Sequence, residues 1–254
     1  MANKSSSLTP QIGAQDLNGN GNPPLHNQIL LNLSASEQGA ILAKSEFVLI
    51  PVHTILNEIS ESIKFSYFVN SGLVSIVTVM SDGKSVEVGL AGKEGFVGLP
   101  LLVDFDSSPT RAIVQIEGSA FRMPMQDLKK ALQDFPRLEH SLQRYSQELG
   151  LQSAHIAACN RLHEVDERLA RWLLMSQDRI GSPTFALTQE FIAHMLGTRR
   201  ASVTVAAGTL QKAGLITYTR GRVTIEKRDE LLQASCECYG NMIQQLNKWK
   251  NELG

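Results

Sequence analysis

The pattern of apolar and polar positions divides the chain into two parts. Between residues 46 and 123, short β-branched runs alternate with turn-forming residues, which is typical of β-strands. From about residue 125 onwards, apolar side chains recur every three or four positions, which is typical of amphipathic α-helices. We therefore predict a β-rich N-terminal part and a helical C-terminal part.

The β-rich part begins after one or two short helices within residues 28–45, with Ser34 or Ser36 as a helix cap. Asn70, Ser71 and Gly72 form one predicted turn, and residues 81–84 suit a β-hairpin. Many short strands at this spacing predict a sandwich or a barrel. The predicted strands cover residues 47–52, 66–69, 73–80, 85–90, 111–116 and 119–123.

A long helix is predicted from Pro136, where a short helix over residues 125–135 ends. Its apolar residues recur at alternating steps of four and three, a period typical of a coiled-coil seam. The seam either pairs with a second copy or packs on the chain's own barrel. After a hinge at Asn160, another amphipathic helix follows, and a last helix runs over residues 228–246. The predicted seam consists of Leu138, Leu142, Tyr145, Leu149, Gln152 and Ile156, followed by Cys159.

Residues 187–225 predict two short helices followed by a small β-hairpin. Thr188 is a suitable N-cap for the first helix. Gly197 ends that helix, because glycine adopts the left-handed conformation at little steric cost. Thr198 is predicted to cap the second helix, and Gly214 to end it. The inward-facing residues of the second helix are Val203, Ala206, Ala207 and Leu210.

The second helix has a polar N-terminal end that suits DNA. A helix of this length fits the major groove with its first residues at base edges. The predicted groove contacts are Arg199, Arg200, Ser202 and Thr204, and Arg200 is the best candidate to bind guanine. Thr188, Gln189, Arg220 and Arg222 are predicted to contact phosphate. The alternative is a helical hairpin whose arginines are only solvated.

Overall charge adds one constraint. The net charge of −1 and the isoelectric point near 6.6 show no global basic bias, so a nucleic-acid site must be a local patch. The 25 N-terminal residues are polar and predicted to be disordered. They contain no signal-peptide core, and no apolar run is long enough for a membrane span, so we expect a cytoplasmic protein.

The cysteines and histidines do not predict a metal site or catalytic residues. Three cysteines are too few for a disulfide framework, which fits a reducing compartment. His155 and Cys159 lie one helical turn apart but lack two further ligands. Cys236 and Cys238, placed on one helix, would point about 200° apart and could not readily hold one ion. No HExxH, Walker A, GxSxG or GxGxxG motif occurs, so an enzyme is not predicted.

Two parts of the chain resemble the Crp/Fnr superfamily of bacterial transcription regulators. Three segments resemble the winged helix-turn-helix of that family: LTQEFIAHMLGTRRASV, LQKAGLI and RGRVTI. One longer segment resembles its cyclic-nucleotide-binding-like jelly roll: YFVNSGLVSIVTVMSDGKSVEVGLAGKEGFVGLPLL. The resemblance implies an α+β protein with a jelly-roll β-barrel sensor domain, a dimerisation helix and a C-terminal winged helix-turn-helix domain. The implied divisions are residues 1–25 (tail), 26–135 (barrel), 136–160 (dimerisation helix) and 161–254 (DNA-binding domain with an extra C-terminal helix).

The function that the resemblance implies is a dimeric, sequence-specific regulator of transcription, controlled by an effector at the barrel. Its implied partners are double-stranded DNA, a second copy of the chain and RNA polymerase. In relatives activated by cyclic AMP, the recognition helix carries Arg-Glu and a second Arg; here Ala201 and Val205 replace the latter two, which implies a different operator. The alternative function is a small-molecule sensor module whose DNA binding is vestigial.

The effector pocket departs from relatives that bind cyclic AMP. Gly98 is followed by Leu99 instead of the ribose-binding carboxylate, and Thr110 occupies the place of the phosphate-binding arginine. Arg111 is one position away, before Ala112, and a shift of one residue in a strand reverses the face of the side chain. We therefore predict an effector other than cyclic AMP or none. An N-terminal iron–sulfur cluster is excluded in its usual form, because no cysteine precedes Cys159.

Overall fold

The computed structural model of the protein describes residues 23–252, so the predicted disordered tail lies almost entirely outside the described residues. None of the helices in this range is long and apolar enough to cross a lipid bilayer. The helices are α1 (Gln28–Leu31), α2 (Ala35–Leu42), α3 (Met125–Asp134), α4 (Pro136–Leu162), α5 (Val165–Ile180), α6 (Gln189–Met195), α7 (Arg200–Lys212), α8 (Arg228–Gln233) and α9 (Cys238–Glu252), with a 3-10 helix at Leu99–Val103. The strands are β1 (Glu46–Ile50), β2 (Ile55–Asn57), β3 (Phe65–Val79), β4 (Ser85–Ala91), β5 (Phe96–Val97), β6 (Arg111–Pro124), β7 (Thr184–Ala186), β8 (Ile216–Thr219) and β9 (Arg222–Ile225).

The N-terminal part is an antiparallel β-structure organised around its two longest strands, β3 and β6. Neighbouring strands follow the order β1-β6-β3-β4, while β2 pairs with β6 and β5 with β3. The register of β3 against β6 shifts between Val69 and Val74. In this region a Cβ on Gly72 would lie 2.6 Å from the backbone oxygen of Ile116, so only glycine fits. Such bulges bend a strand and increase its twist, which lets both strands curve around the barrel.

Two predicted strand breaks are wrong. Asn70, Ser71 and Gly72 lie within the continuous strand β3, and residues 117–118 lie within β6. These turn-forming residues produce bulges instead of chain reversals. The side chain of Asn70 is buried and holds the segment before α1 by hydrogen bonds to its backbone. The predicted hairpin turn at residues 81–84 is confirmed, since it joins β3 to β4.

The long helix α4 packs on the barrel of its own chain. The Leu149 side chain lies over Gly89 of β4, and Gln152 accepts a hydrogen bond from the backbone N–H of Leu90 at 3.2 Å. The predicted dimer seam is therefore wrong, since this face of α4 packs on the barrel of its own chain. A 3.5-residue period identifies the apolar face of a helix but does not show which surface covers that face. The other seam residues are buried in the single chain: Leu138, Leu142, Tyr145 and Ile156.

Helix boundaries differ from the prediction at two places. The junction between α4 and α5 lies at His163, in extended conformation, and not at Asn160. The predicted single C-terminal helix is two helices, since α8 ends at Gln233 and α9 begins at Cys238. Both differences change which side chains meet at the end of α4.

A shared hydrophobic core joins the barrel to the helical part. Leu73, Val77 and Leu90 of the barrel belong to the same buried cluster as Trp172 of α5. A Cβ on Gly197, which follows α6, would lie 3.0 Å from the side chain of Val86 in β4. The helix-turn-helix is therefore held directly against the barrel.

A buried carboxyl group lies at this junction. Glu87 of β4 accepts a hydrogen bond from Trp172 Nε1 at 2.9 Å and another from the Ser75 hydroxyl. Burial raises the pKa of Glu87 to about 7, although the hydrogen bond from Ser75, the charge of Arg171 and the bond from Trp172 act in the opposite direction. The ionised form is disfavoured because it loses its hydration.

This carboxyl group should make stability depend on pH. Between pH 4.5 and about 7 the folded protein binds more protons than the unfolded chain, so the free energy of unfolding falls as pH rises. Glu87→Gln should remove this fall. From pH 5 to pH 8, the free energy of unfolding of the variant should therefore rise by about 1–3 kcal/mol relative to that of wild type. Urea unfolding at both pH values measures the difference. Glu61→Gln, at an exposed position, is the control, and equal pH dependence in wild type and Glu87→Gln would contradict this assignment.

Candidate DNA-binding surface

Helices α6 and α7 form the helix-turn-helix, and particular residues set their ends. The hydroxyl of Thr188 accepts a hydrogen bond from the Phe191 N–H at 3.2 Å, which confirms the predicted N-cap. Gly197 has φ 58° and provides the predicted turn. The predicted cap at Thr198 is wrong, because the N-cap of α7 is Arg199, which makes no side-chain capping bond. The first N–H groups of α7 can therefore meet an anionic oxygen.

Helix α7 has one buried and one exposed face. The four predicted inward residues, Val203, Ala206, Ala207 and Leu210, are buried. Val205 is 71% exposed, and Ser202 is half-buried at the edge of the exposed face. A Cβ on Gly208 would have no neighbour within 4 Å, so this face is open to the approach of another molecule. The exposed face consists of Arg200, Ala201, Thr204, Val205, Gly208 and Thr209.

The wing is the hairpin of β8 and β9, within a sheet of order β7-β9-β8. Its turn residues Arg220 and Gly221 have φ of 51° and 73°, as a two-residue hairpin turn requires. The Tyr218 hydroxyl donates to the Leu187 carbonyl at 2.6 Å, and the Leu187 N–H donates to the Gly221 carbonyl at 2.6 Å. These bonds fix the wing beside the start of α6.

Four exposed arginines form what we term the basic surface: Arg199, Arg200, Arg220 and Arg222. None of them forms a salt bridge with another residue of the described chain, in contrast to Arg111, Arg122, Arg179 and Arg228. The Tyr218 N–H donates a hydrogen bond to Gln211 Oε1 at 3.1 Å, which joins the wing to α7. Free guanidinium groups are suited to bind phosphate and base oxygens.

The remaining predicted contacts lie at the meeting point of the two helices. The Thr204 hydroxyl donates a hydrogen bond to Gln189 Oε1 at 2.7 Å, across α6 and α7. This bond leaves the amide nitrogen of Gln189 as a donor. The Thr204 hydroxyl also lies 3.1 Å from the Arg200 carbonyl, so Gln189, Arg200 and Thr204, three of the predicted DNA contacts, lie together beside Thr188.

The predicted effector pocket is not an open anion site at Arg111. The Arg111 Nε lies 3.0 and 3.1 Å from the two carboxylate oxygens of Glu58, and its Nη2 lies 2.9 Å from one of them. Ala112 is buried in the barrel core, so the alternation of β6 directs Arg111 to the opposite face. The charge of Arg111 is therefore neutralised outside the barrel interior.

The other residues of that predicted pocket carry no charge. Gly98, with φ 124°, leads into the 3-10 helix that begins at Leu99. The Thr110 hydroxyl lies 3.1 Å from the Ser108 hydroxyl. Neither group replaces the carboxylate or the arginine that relatives use for cyclic AMP.

Together, the barrel, the long helix and the winged helix-turn-helix define a class of two-part regulatory protein. Residues 50–135 match the sequence model of the cyclic nucleotide-binding domain, and residues 167–234 match that of the Crp-like helix-turn-helix domain. The chain belongs to the Crp/Fnr superfamily of transcription regulators, which confirms the resemblance and the α+β fold. No curated protein sequence matches the chain significantly.

Solved structures of other proteins share the fold of this chain. FixK2 from Bradyrhizobium japonicum has a TM-score of 0.65 at 18% identity, over 76% of this chain and 98% of that chain. CLP from Xanthomonas campestris, described as a c-di-GMP responsive global regulator, has a TM-score of 0.64 at 20% identity, over 76% and 99%. A CRP-family transcriptional regulator from Thermus thermophilus has a TM-score of 0.61 at 20% identity, over 74% of this chain and 95% of that chain.

Proposed function

We propose that this protein is a sequence-specific DNA-binding regulator of transcription that acts as a homodimer. The observation that carries the proposal is the basic surface: its four arginines are exposed and form no salt bridge within residues 23–252. Two of them flank the free N-terminal end of α7, and two lie at the tip of the wing. A recognition helix and a wing each need such groups to engage a duplex.

Base reading is assigned to the exposed face of α7. Arg200 can bind guanine through two parallel hydrogen bonds, and the Thr204 hydroxyl can bond to a base edge. Val205 is apolar and 71% exposed, which suits contact with a thymine methyl group. The operator should therefore differ from that of relatives with a second arginine at this position. Phosphate contacts fall to Thr188, Gln189, Arg220 and Arg222, with the N–H groups at the start of α7.

Dimerisation is assigned to the outer face of α4, opposite the face that packs on the barrel. Gly150 lies in the middle of this helix, and a Cβ at this position would have no neighbour within 4 Å. Glycine nevertheless destabilises a helix by about 0.5–1 kcal/mol relative to alanine, and close approach of a second helix would account for its presence. The exposed residues recur at steps of three and four: His140, Gln143, Gln147, Gly150, Ala154, Ala157 and Arg161.

Control of DNA binding is assigned to the junction between the barrel and α5. Glu87 bonds to Trp172, and the Glu94 carboxylate lies 2.8 Å from Arg179 Nε. A signal that shifts β4 and the turn that follows it would act on α5 through these two contacts. The neutralised Arg111 argues for an effector other than cyclic AMP.

Arg200→Ala should weaken binding to the selected operator by about 5- to 150-fold and relax preference at one base pair, because a bidentate base contact is lost. The operator is first selected from a random DNA pool, and dissociation constants are then measured at fixed salt. Arg137→Ala, on an exposed residue close to Glu37 of the barrel part, is the matched control. Unchanged affinity and selectivity of Arg200→Ala would exclude the assigned contact, and a pool that yields no enriched sequence would favour the sensor module with vestigial DNA binding.

Ala154→Arg should convert the dimer to a monomer, with a dimer dissociation constant raised about 100-fold or more. Two-fold symmetry would bring the two introduced charges together, and like charges at an interface cost several kcal/mol. Sedimentation velocity measures the assembly state. Gln133→Arg, at an exposed position of α3, controls for the added charge. A dimer of unchanged affinity in Ala154→Arg would contradict the assigned face.

A further inference from the structure

Four potential metal ligands meet where α4 ends and α9 begins. Cys159 lies in the last turns of α4, and His163 follows that helix. Cys236 lies in the segment between α8 and α9, and Cys238 is the first residue of α9. The three cysteines are free and buried, and His163 is half-buried. We term these four residues the Cys3His cluster.

The spacing of the ligand atoms fits one ion. All four atoms lie within 4.8 Å of one another. The sulfurs of Cys159 and Cys236 are 3.4 Å apart, and the Cys238 sulfur lies 3.6 Å from His163 Nδ1. Tetrahedral zinc with bonds of about 2.3 Å to sulfur separates its ligand atoms by roughly 3.8 Å. An iron–sulfur cluster distributes its four protein ligands over two or more irons, so ligand atoms bound to different irons would lie further apart than these.

The orientation of His163 is the one that a metal ligand needs. Its Nδ1 faces the thiols, while its Nε2 lies 3.1 Å from the carboxylate of Glu237. A carboxylate on the far nitrogen of a ligating histidine fixes the tautomer and the ring position and increases the basicity of the ligand. Glu237 comes from the same short segment as Cys236 and Cys238. This segment therefore supplies two ligands and the support of a third.

The charges around the cluster favour an anionic centre. Arg171 is buried and interacts electrostatically with Cys159 and Cys236. Its Nη1 contacts the sulfur of Met175, and its Nε has no partner in the described chain. Glu87 directs its oxygens to Trp172 and Ser75 instead. A divalent ion on three thiolates carries a net charge of −1, which would offset part of the positive charge of Arg171 and of Arg168, also buried beside Cys159 and Cys236.

We propose that Cys159, His163, Cys236 and Cys238 bind a single zinc ion in tetrahedral geometry. Three thiolates and one imidazole are a usual ligand set of structural zinc sites. Binding displaces the thiol protons to solvent, and neutral His163 contributes its Nδ1 lone pair. No ligand position is left open for substrate, so the site is structural.

The ion would connect parts of the chain that are far apart in sequence. Cys159 and His163 lie at the junction of α4 and α5, and the other two ligands precede or begin α9. Zinc would thus clamp the C-terminal helices onto the hinge that orients the DNA-binding part. The zinc site is a property separate from the proposed DNA binding, and the experiments that test the zinc site do not require DNA binding.

The first test uses the full wild-type chain purified without chelator. Elemental analysis should find about one zinc per chain. After chelator treatment under reducing conditions, the melting temperature should fall, and one equivalent of cobalt(II) should produce thiolate-to-cobalt charge-transfer absorption together with the visible bands of a tetrahedral site. Zinc should abolish that spectrum by displacing cobalt.

Variants then identify the ligands. Cys236→Ser and His163→Gln should each weaken cobalt binding at least about tenfold. His155→Gln, on α4 one turn from Cys159 but outside the Cys3His cluster, should bind cobalt like wild type. Circular dichroism monitors the folding of each variant. If Cys236→Ser does not fold, the cobalt titrations of wild type and of His163→Gln still test the assigned ligand set.

Three results would overturn the assignment. In the first, cobalt(II) added to the wild-type protein produces no charge-transfer absorption, and all three thiols react freely in the presence of zinc. Another is iron with acid-labile sulfide in the purified chain. The third is unchanged cobalt affinity in His163→Gln.

Discussion

The whole structure depends on strand β4 being covered on its outer side by helices α4 and α5. Glycine at position 89 allows Leu149 of α4 to approach the strand, and Leu90 gives its backbone N–H to Gln152 of the same helix. Glu87 is covered by Trp172 of α5. Because both helices pack on one short strand, a displacement of β4 would act on the long helix and, through α5, on the helix-turn-helix part.

Much of this architecture could be predicted from the sequence, because short-range signals determine it. The N-cap at Thr188, the turn at Gly197 and the inward face of α7 follow from local propensity and helical period. The bulges of β3 could not be predicted, since Gly72 is required by close contact with β6 and not by a chain reversal. The apolar period of α4 is correctly predicted, but it carries no information on whether the covering surface belongs to the same chain or to another.

The candidate sites show the same division between local and distant information. The one-residue displacement of Arg111 predicted that its charge would leave the barrel interior, and its pairing with Glu58 agrees. The Cys3His cluster could not be predicted, because Cys159 and Cys236 are 77 residues apart and because the local pattern predicts one continuous helix around Cys236 and Cys238. Ending α8 at Gln233 frees that segment to turn both thiols to one side.

The position of the Cys3His cluster would relate the proposed metal binding to the proposed geometry of DNA recognition. In a two-fold dimer joined through α4, the separation of the two recognition helices depends on the angle between α4 and α5, since α5 packs directly against α7. His163 occupies that bend, and its side chain is held by Glu237 from the C-terminal segment. A bound ion would fix the bend with four bonds where apolar packing alone would leave it adjustable. The additional C-terminal helices would then serve to set the distance between half-sites, which gives a physical reason for their presence beyond the wing.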